Sequence, residues 1–577
     1  MNESHPVIRF ESVPIVEGSL HRLEEFRPQL LESVTAETVR ELSVLSPSLA
    51  SQAAQNPYEG LLGEALFSEK QRLRREKPTV FTKNRYKNDK LLWSQVQAAL
   101  LKSPVERDRG EIMSRVLSHY AEEIGGHFDA RIYRLATKMV PWTFSWLLNA
   151  ASVKRVLPWG MTQSLSSRLR IVGEVPHLQN LSKKGTILLV PTHQSNIDSP
   201  LVGYVIYLMS LPPFAYGAGL NLFSNPLLSF FMSGLGSYTV DRKKTSAIYK
   251  QVLKNYSVQI LERGIHSIFF PGGGRSRSGA IEQKLKLGLM GTALEAQLQN
   301  LKQGKPNPNV YVVPMVTSYH SVLEAGSLID DFLLESGKSR YLSYGDDSWH
   351  LQSVLRFFWK FFSSSSGVTV RIGRPMDVFG NLVDENGRSI GPNGTCIDPK
   401  AWLTSGGELA PEKQRDQEYT RELGKSLVER FHADNTVLTS HAVAFVLFEA
   451  LRKLYPDYDL YRFLRMSGSQ RVVTLDRFLV EAAKVHSRLR ELADRGKVFL
   501  SKEFYTTKSE DWVEDGIRHL GLWHDSAVIR KADRAVWSDD LSLLYYYRNR
   551  LSGYGLSELL PKERGTSRGI DKKGFLA

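Results

Sequence analysis

The run Ile187-Leu-Leu-Val-Pro-Thr-His193-Gln-Ser-Asn-Ile-Asp198-Ser-Pro200 passes from apolar residues to a polar turn within a few positions. Its first part suits a buried strand ending at Pro191. Pro200 suits the first position of a helix, where a missing N–H costs nothing, and Ser199 is placed to cap it. His193 and Asp198 then fall in a strand-to-helix turn, a usual place for chemistry in α/β folds. Five residues apart on a regular helix they would point to different sides, but in a turn they can meet. A carboxylate on one imidazole nitrogen fixes the tautomer and leaves the other nitrogen to take a proton from an alcohol. The same residues also fit a plainer pattern, with Asp198 as a helix cap and His193 as a loop residue. Local sequence leaves both open.

Outward from this run, short apolar stretches occur at Thr186 to Val190, Phe214 to Gly217, Ser237 to Val240, His266 to Phe270, Val310 to Val316 and Val368 to Ile372. Helical patterns separate several of them. The clearest covers Ser246 to Arg263, with Ile248, Val252, Leu253, Tyr256 and Ile260 on one face, Thr245 placed to cap it and Gly264 to end it. This alternation predicts an α/β domain over residues 151–435. Residues 1–150 read as a helical N-terminal domain, with apolar residues at helical spacing in Leu91 to Leu101 and His127 to Ala150. Residues 436–577 read as a helical C-terminal domain that opens on Ala442 to Leu451. Its tail from Lys562 to Lys573 has a disordered composition.

The chain has 577 residues, Lys+Arg 75 against Asp+Glu 61, and a net charge of +14. That charge favours an anionic partner: nucleic acid, an acidic lipid surface or a phosphorylated substrate. No nucleic-acid-binding module is recognisable. The single cysteine, Cys396, excludes an intramolecular disulfide and any multi-thiolate metal site. It fits a reduced compartment. The first residues lack the basic and apolar regions of a signal peptide.

A second chemical signal is Phe269-Phe270-Pro271-Gly272-Gly273-Gly274-Arg275-Ser276-Arg277-Ser278-Gly279. Glycines let a backbone approach a ligand closely, and two arginines spaced by one can hold a phosphate or carboxylate from two sides. Gly274 and Gly279 have the separation of a nucleotide P-loop, but Ala280 and Ile281 stand where Lys and Ser/Thr are required. Asp241, Arg242, Lys243 and Lys244 follow another apolar run. Such a charged run is usually a solvated helix start, but positive charge there is slightly unfavourable, so an anion-binding role is the other reading. No G-x-S-x-G elbow of a serine hydrolase occurs.

Taken in order, these pieces resemble the glycerophospholipid acyltransferase family. His193 and Asp198 match its first motif, and Gly236-Ser-Tyr-Thr-Val-Asp-Arg242 its second. Phe270-Pro-Gly272-Gly-Gly-Arg275-Ser-Arg277 matches its third, Phe-x-Glu-Gly-x-Arg-Ser-Arg, except that Gly272 stands for the glutamate. Val312-Val313-Pro314, followed by Ser318 and Tyr319, resembles the fourth. Further stretches (Ala218 to Leu222, Lys286 to Gly288, Asn435 to Leu451 and Tyr546 to Asn549) look like the bacterial membrane-bound glycerol-3-phosphate acyltransferases. The resemblance implies a central mixed sheet flanked by helices. It implies His193 as general base, Asp198 orienting it, and Arg242, Lys243, Gly273, Arg275, Ser276 and Arg277 around the phosphate of glycerol 3-phosphate. Pro314 would serve the acyl donor or the motif's structure. The donor would be acyl-carrier protein or acyl-CoA, with transfer to the sn-1 hydroxyl and no metal or organic cofactor. For the missing glutamate, Glu282 is the nearest acidic substitute downstream. Lysophosphatidate or dihydroxyacetone phosphate as acceptor, and a non-catalytic lipid-binding scaffold, are the competing expectations.

No Asp, Glu, Lys, Arg or His occurs between Ser199 and Val240, yet prolines and glycines interrupt that span before it reaches the length of a membrane crossing. The expectation is peripheral, monotopic attachment to the cytoplasmic face of the inner membrane, through Leu222 to Met232 or the aromatic, basic run Leu355 to Phe362, helped by the positive charge.

Overall fold

The computed structural model describes residues 13–49, 57–76, 78, 83–102, 106–149, 169–219, 234–336, 367–505, 509–521, 524 and 526–559. The two segments expected to touch a membrane, the region from Leu222 to Met232 and that from Leu355 to Phe362, lie outside the described residues, as does the tail from Lys562 to Lys573.

The centre is a seven-stranded sheet of β1 (Leu169–Gly173), β2 (Thr186–Pro191), β3 (Ala215–Gly219), β4 (Ser237–Val240), β5 (Ser267–Ile268), β6 (Val310–Tyr319) and β7 (Val368–Ile372), in the order β1-β7-β6-β2-β5-β3-β4. Strands β6, β2, β5, β3 and β4 run parallel, whereas β7 is antiparallel to β6 and parallel to β1. The sheet is therefore mixed and flanked by helices, as the resemblance implied. Every residue of β2 and β6 is buried. This explains why both read as continuous apolar runs rather than alternating ones. Pro314 sits opposite Val190 in β6, one residue beyond the last pairing with β7 at Met315. Its carbonyl accepts the Gly373 N–H at 2.8 Å, and the return bond that a residue with an N–H would make there is missing, where the pairing with β7 ends.

The N-terminal part is helical over Leu23–Leu49, Pro57–Arg75, Lys83–Lys102, Glu106–Ile124 and Ala130–Asn149. Leu30, Val34, Val116 and Tyr120 share an apolar core with Tyr238, Ile248, Val252 and Tyr256 of the sheet region. Charge fastens the same contact. Lys244, with its side chain fully buried, pairs with Glu123 and lies 3.3 Å from Asp89, and Arg85 pairs with Glu123 and, at 3.2 Å, with Asp241. On the other side, the buried helix Thr439–Leu454 packs among Leu475–Asp494, Ser509–Gly521 and Leu541–Arg548, and its residues join the core of the sheet. Among the described residues, no helix is long and apolar enough to cross a membrane.

Some boundaries differ from expectation. Strand β1 was not anticipated; its short run, Leu-Arg-Ile-Val-Gly, carries a charge at its second residue, Arg170. The apolar run beginning at His266 gives only a two-residue strand, because Phe269 makes one more bond to Leu189 and the chain then turns away. The helix of the first motif begins at Asp198, not Pro200, and no side chain caps it, Ser199 included. The helix Ala247–Glu262 is capped by Ser246, whose hydroxyl accepts the Tyr249 N–H, not by Thr245.

Candidate active site

Parallel strands share one direction, so their C-terminal ends gather on one edge of the sheet. Strand β2 delivers His193 there, β4 delivers Arg242, β5 delivers the glycine–arginine loop, and β6 ends on Thr317 and Tyr319. This is where an open α/β sheet leaves room for a ligand.

The turn after β2 brings His193 and Asp198 together. His193 Nδ1 lies 3.0 Å from Asp198 Oδ2. The Asp198 carboxylate is wholly buried and is met by donors on both oxygens. Oδ2 also accepts the backbone N–H groups of Gln194 at 2.6 Å and Ser195 at 2.8 Å. Oδ1 accepts the Tyr319 hydroxyl at 2.5 Å and the Thr317 hydroxyl at 3.4 Å. A plain helix cap would accept N–H groups of its own helix; this carboxylate accepts from the turn before the helix and from the imidazole. The dyad arrangement is therefore the one the structure adopts. The beginning of the turn is held from outside as well. Glu324 accepts the Ser195 hydroxyl at 2.9 Å and the Asn196 N–H at 3.0 Å.

With Nδ1 committed to Asp198, His193 Nε2 makes no hydrogen bond among the described residues. The imidazole rests against the Phe270 ring, with centroids 4.6 Å apart. Its carbonyl accepts the Ser276 N–H at 2.7 Å, which ties the histidine to the glycine–arginine loop.

That loop is shaped by Gly273 and Gly279, at φ of +69° and +79°, where a side chain would be strained. Gly279 also has no room: a Cβ there would lie 2.3 Å from the Tyr546 carbonyl oxygen. The expected anion-holding residues are placed differently from one another. Arg242 has no hydrogen bond or ion pair among the described residues, and a Cβ on Gly274 would lie 3.8 Å from its Nη1. Partial burial pulls its pKa below the usual value. Arg275 lies 3.6 Å from Glu324. Arg277 is exposed and paired with Glu335. Ser276 turns its hydroxyl back to Ala280, at 2.6 Å. The exposed Lys243 bonds Asp241 through its backbone N–H, at 2.9 Å. The structure thus gathers His193, Asp198, Arg242 and Arg275 around one strand edge, while Ser276 shapes the loop and Pro314 lies inside the sheet.

Other participants arrive from far along the chain; Thr317, Glu324 and Arg550 had no place in the sequence reading, and Tyr319 stood there only as a residue following the fourth motif. Tyr319, Thr317 and Glu324 hold the turn across more than a hundred residues. The C-terminal segment forms a wall. Asn549 donates to the Ser278 carbonyl at 2.9 Å, and the fully buried Arg550 donates to the Thr317 carbonyl at 2.8 Å and to Asn435 Oδ1 at 2.9 Å. The resemblance of Asn435 and of Tyr546 to Asn549 to relatives was the available signal for that wall.

Residues 173–318 match the family model described as Acyltransferase. Among relatives, it is 28% identical over 246 residues to a glycerol-3-phosphate acyltransferase of Xylella fastidiosa, covering 41% of this chain and 26% of that protein. It is 28% identical over 209 residues to a glycerol-3-phosphate acyltransferase of Aeromonas hydrophila, covering 36% of this chain and 23% of that one. The matched region thus spans about a quarter of the length of these relatives. Among solved structures, the 1-acyl-sn-glycerophosphate acyltransferase of Thermotoga maritima matches at 17% identity over 52% of this chain and 81% of that one, with a TM-score of 0.24.

Proposed function

We propose that this chain transfers a fatty acyl group from a thioester to a hydroxyl of glycerol 3-phosphate, the sn-1 hydroxyl in the first instance. One observation carries the reading: a His–Asp dyad at 3.0 Å whose histidine is tied to a loop of glycines and arginines. His193 Nε2 takes the proton of the acceptor hydroxyl as its oxygen attacks the thioester carbonyl carbon. Asp198 supports the imidazolium that forms. The carbon–sulfur bond then breaks, and the leaving thiolate takes the proton from His193. No covalent enzyme intermediate is needed. Arg242, unpaired among the described residues, and Arg275 give the acceptor's phosphate two cations. The glycerol-3-phosphate acyltransferase names of the relatives support this acceptor, and acyl-carrier protein or acyl-CoA is the proposed donor.

The net charge of +14 supports peripheral attachment to an anionic membrane face, where the acylated product would partition. The test of the reaction is an acceptor panel. Protein in lipid or detergent is given acyl-carrier-protein or CoA thioesters with glycerol 3-phosphate, lysophosphatidate or dihydroxyacetone phosphate. Formation of lysophosphatidate from the first acceptor is expected. Turnover with another acceptor alone would move the substrate, and none with any would refute acyl transfer.

A further inference from the structure

Glu282 is drawn into the site but only half of its carboxylate is engaged. Oε1 accepts the backbone N–H of His193 at 2.7 Å. Oε2 is buried and has no hydrogen-bond partner among the described residues. Arg550 from the C-terminal wall interacts with Glu282 electrostatically, and its own Nη1 is likewise buried and unpartnered. Burial raises the Glu282 pKa, against the opposing pull of the His193 N–H and of the Arg550 charge. A buried polar atom left unpaired destabilises a fold, yet an apolar side chain at 282 would leave the His193 N–H without its acceptor and the Arg550 charge without its counter-charge.

The second observation is steric. A Cβ built on Gly272 would lie 3.2 Å from Glu282 Cγ, 3.2 Å from the Gly274 carbonyl oxygen and 3.7 Å from Glu282 Oε1. The Glu282 side chain therefore fills the volume that a side chain at 272 would enter. The carboxylate missing from the third motif is absent at position 272, yet one stands in that space.

We propose that Glu282 is a positioning residue of this site: its carboxylate occupies the place of a residue-272 carboxylate, fixes the backbone of His193, and sets a negative charge against Arg550. This rests on the acyl-transfer reading. Glu282 acts through His193 and exchanges no proton with substrate. It also accounts for glycine at 272, since a second carboxylate there would collide with the first and repel it.

The test is a relocation of the charge. Wild type, Glu282→Gln, Glu282→Ala, Gly272→Glu and the double variant Gly272→Glu/Glu282→Ala are compared for kcat, for the KM of glycerol 3-phosphate and for Tm. Glu282→Gln keeps an acceptor for the His193 N–H and loses the charge. Its kcat should fall about tenfold or more, because Arg550, left without its counter-charge, no longer holds the C-terminal wall in place beside the histidine turn, while KM moves less than about threefold. Gly272→Glu alone should lose activity and Tm. In the Glu282→Ala background the same substitution should raise both, bringing kcat to within about threefold of wild type. Full activity in Glu282→Gln, or a double variant no more active and no more stable than Glu282→Ala, would overturn the proposal. If wild type turns over no acceptor, the acyl-transfer reading fails, and the Tm cycle alone still decides whether residue 272 can replace Glu282 in space.

Discussion

Replacing Asp198 by Asn changes one atom in a fully buried group that accepts from five donors, three on Oδ2 and two on Oδ1. An amide has one acceptor oxygen. Its better orientation keeps that oxygen toward the three N–H donors and turns the NH2 toward the Tyr319 and Thr317 hydroxyls, which must rotate to accept. Hydrogen bonds to a charged group are each worth about 1.5–3 kcal/mol, roughly twice a neutral one. Weakening three and reversing two should cost about 3 kcal/mol of stability, in the range for breaking a buried charged network. The effect on turnover should be larger. A neutral amide neither stabilises the imidazolium nor holds the proton on Nδ1, and the loss in kcat should be about 10³–10⁴-fold. The assay is kcat on glycerol 3-phosphate beside a urea or thermal unfolding curve. A folded Asp198→Asn protein within about tenfold of wild-type kcat would refute the dyad, whatever its stability.

Arg242→Ala should raise the KM for glycerol 3-phosphate by about 10–100-fold, the worth of one charge-assisted contact, whereas Arg277→Ala should change it less than about threefold, because Arg277 is exposed and paired with Glu335. Equal effects in steady-state kinetics would contradict the arrangement of the loop. Gly279→Ala places a Cβ 2.3 Å from the Tyr546 carbonyl oxygen at a φ of +79°; it should lower stability by about 2 kcal/mol or more, measured by denaturant unfolding. His266 is buried, accepts the Ile187 N–H on Nδ1 at 3.0 Å, and has its pKa pushed down by burial to about 4. As pH falls, the unfolded chain takes up this proton near 6.5 while the folded chain resists until about 4, so stability is lost through that window. The loss should approach about 2 kcal/mol at pH 5, and His266→Gln should flatten the decline in Tm between pH 7 and 5; an unchanged decline would refute the assignment.

Much of the sheet is legible because its strands are buried on both faces. Thr186 to Val190 and Val310 to Val316 announce themselves as apolar runs, and the helix after Ser246 by its one-sided pattern. Strand β1 was hidden by its brevity and by Arg170. The dyad was legible as a pair of residue types in a turn, but local sequence could not choose between dyad and cap. The choice is made by Tyr319 and Thr317, which reach Asp198 from β6. Glu282 could be named as the nearest acidic residue after Gly272, yet its reach into the 272 volume depends on how the chain after Gly279 folds back. Asn549 was legible only as the end of a stretch resembling relatives, and Arg550 carries no local signal, since their partners Ser278 and Thr317 lie hundreds of residues earlier.

The central claim is that His193 is the base of an acyl transfer to glycerol 3-phosphate. Its most direct test is turnover of radiolabelled glycerol 3-phosphate with an acyl thioester, wild type beside His193→Ala, each checked for an unchanged unfolding curve. Labelled lysophosphatidate from wild type and a loss of about 10²–10⁴-fold in the variant are predicted. Product formed at the same rate by both proteins would contradict the account.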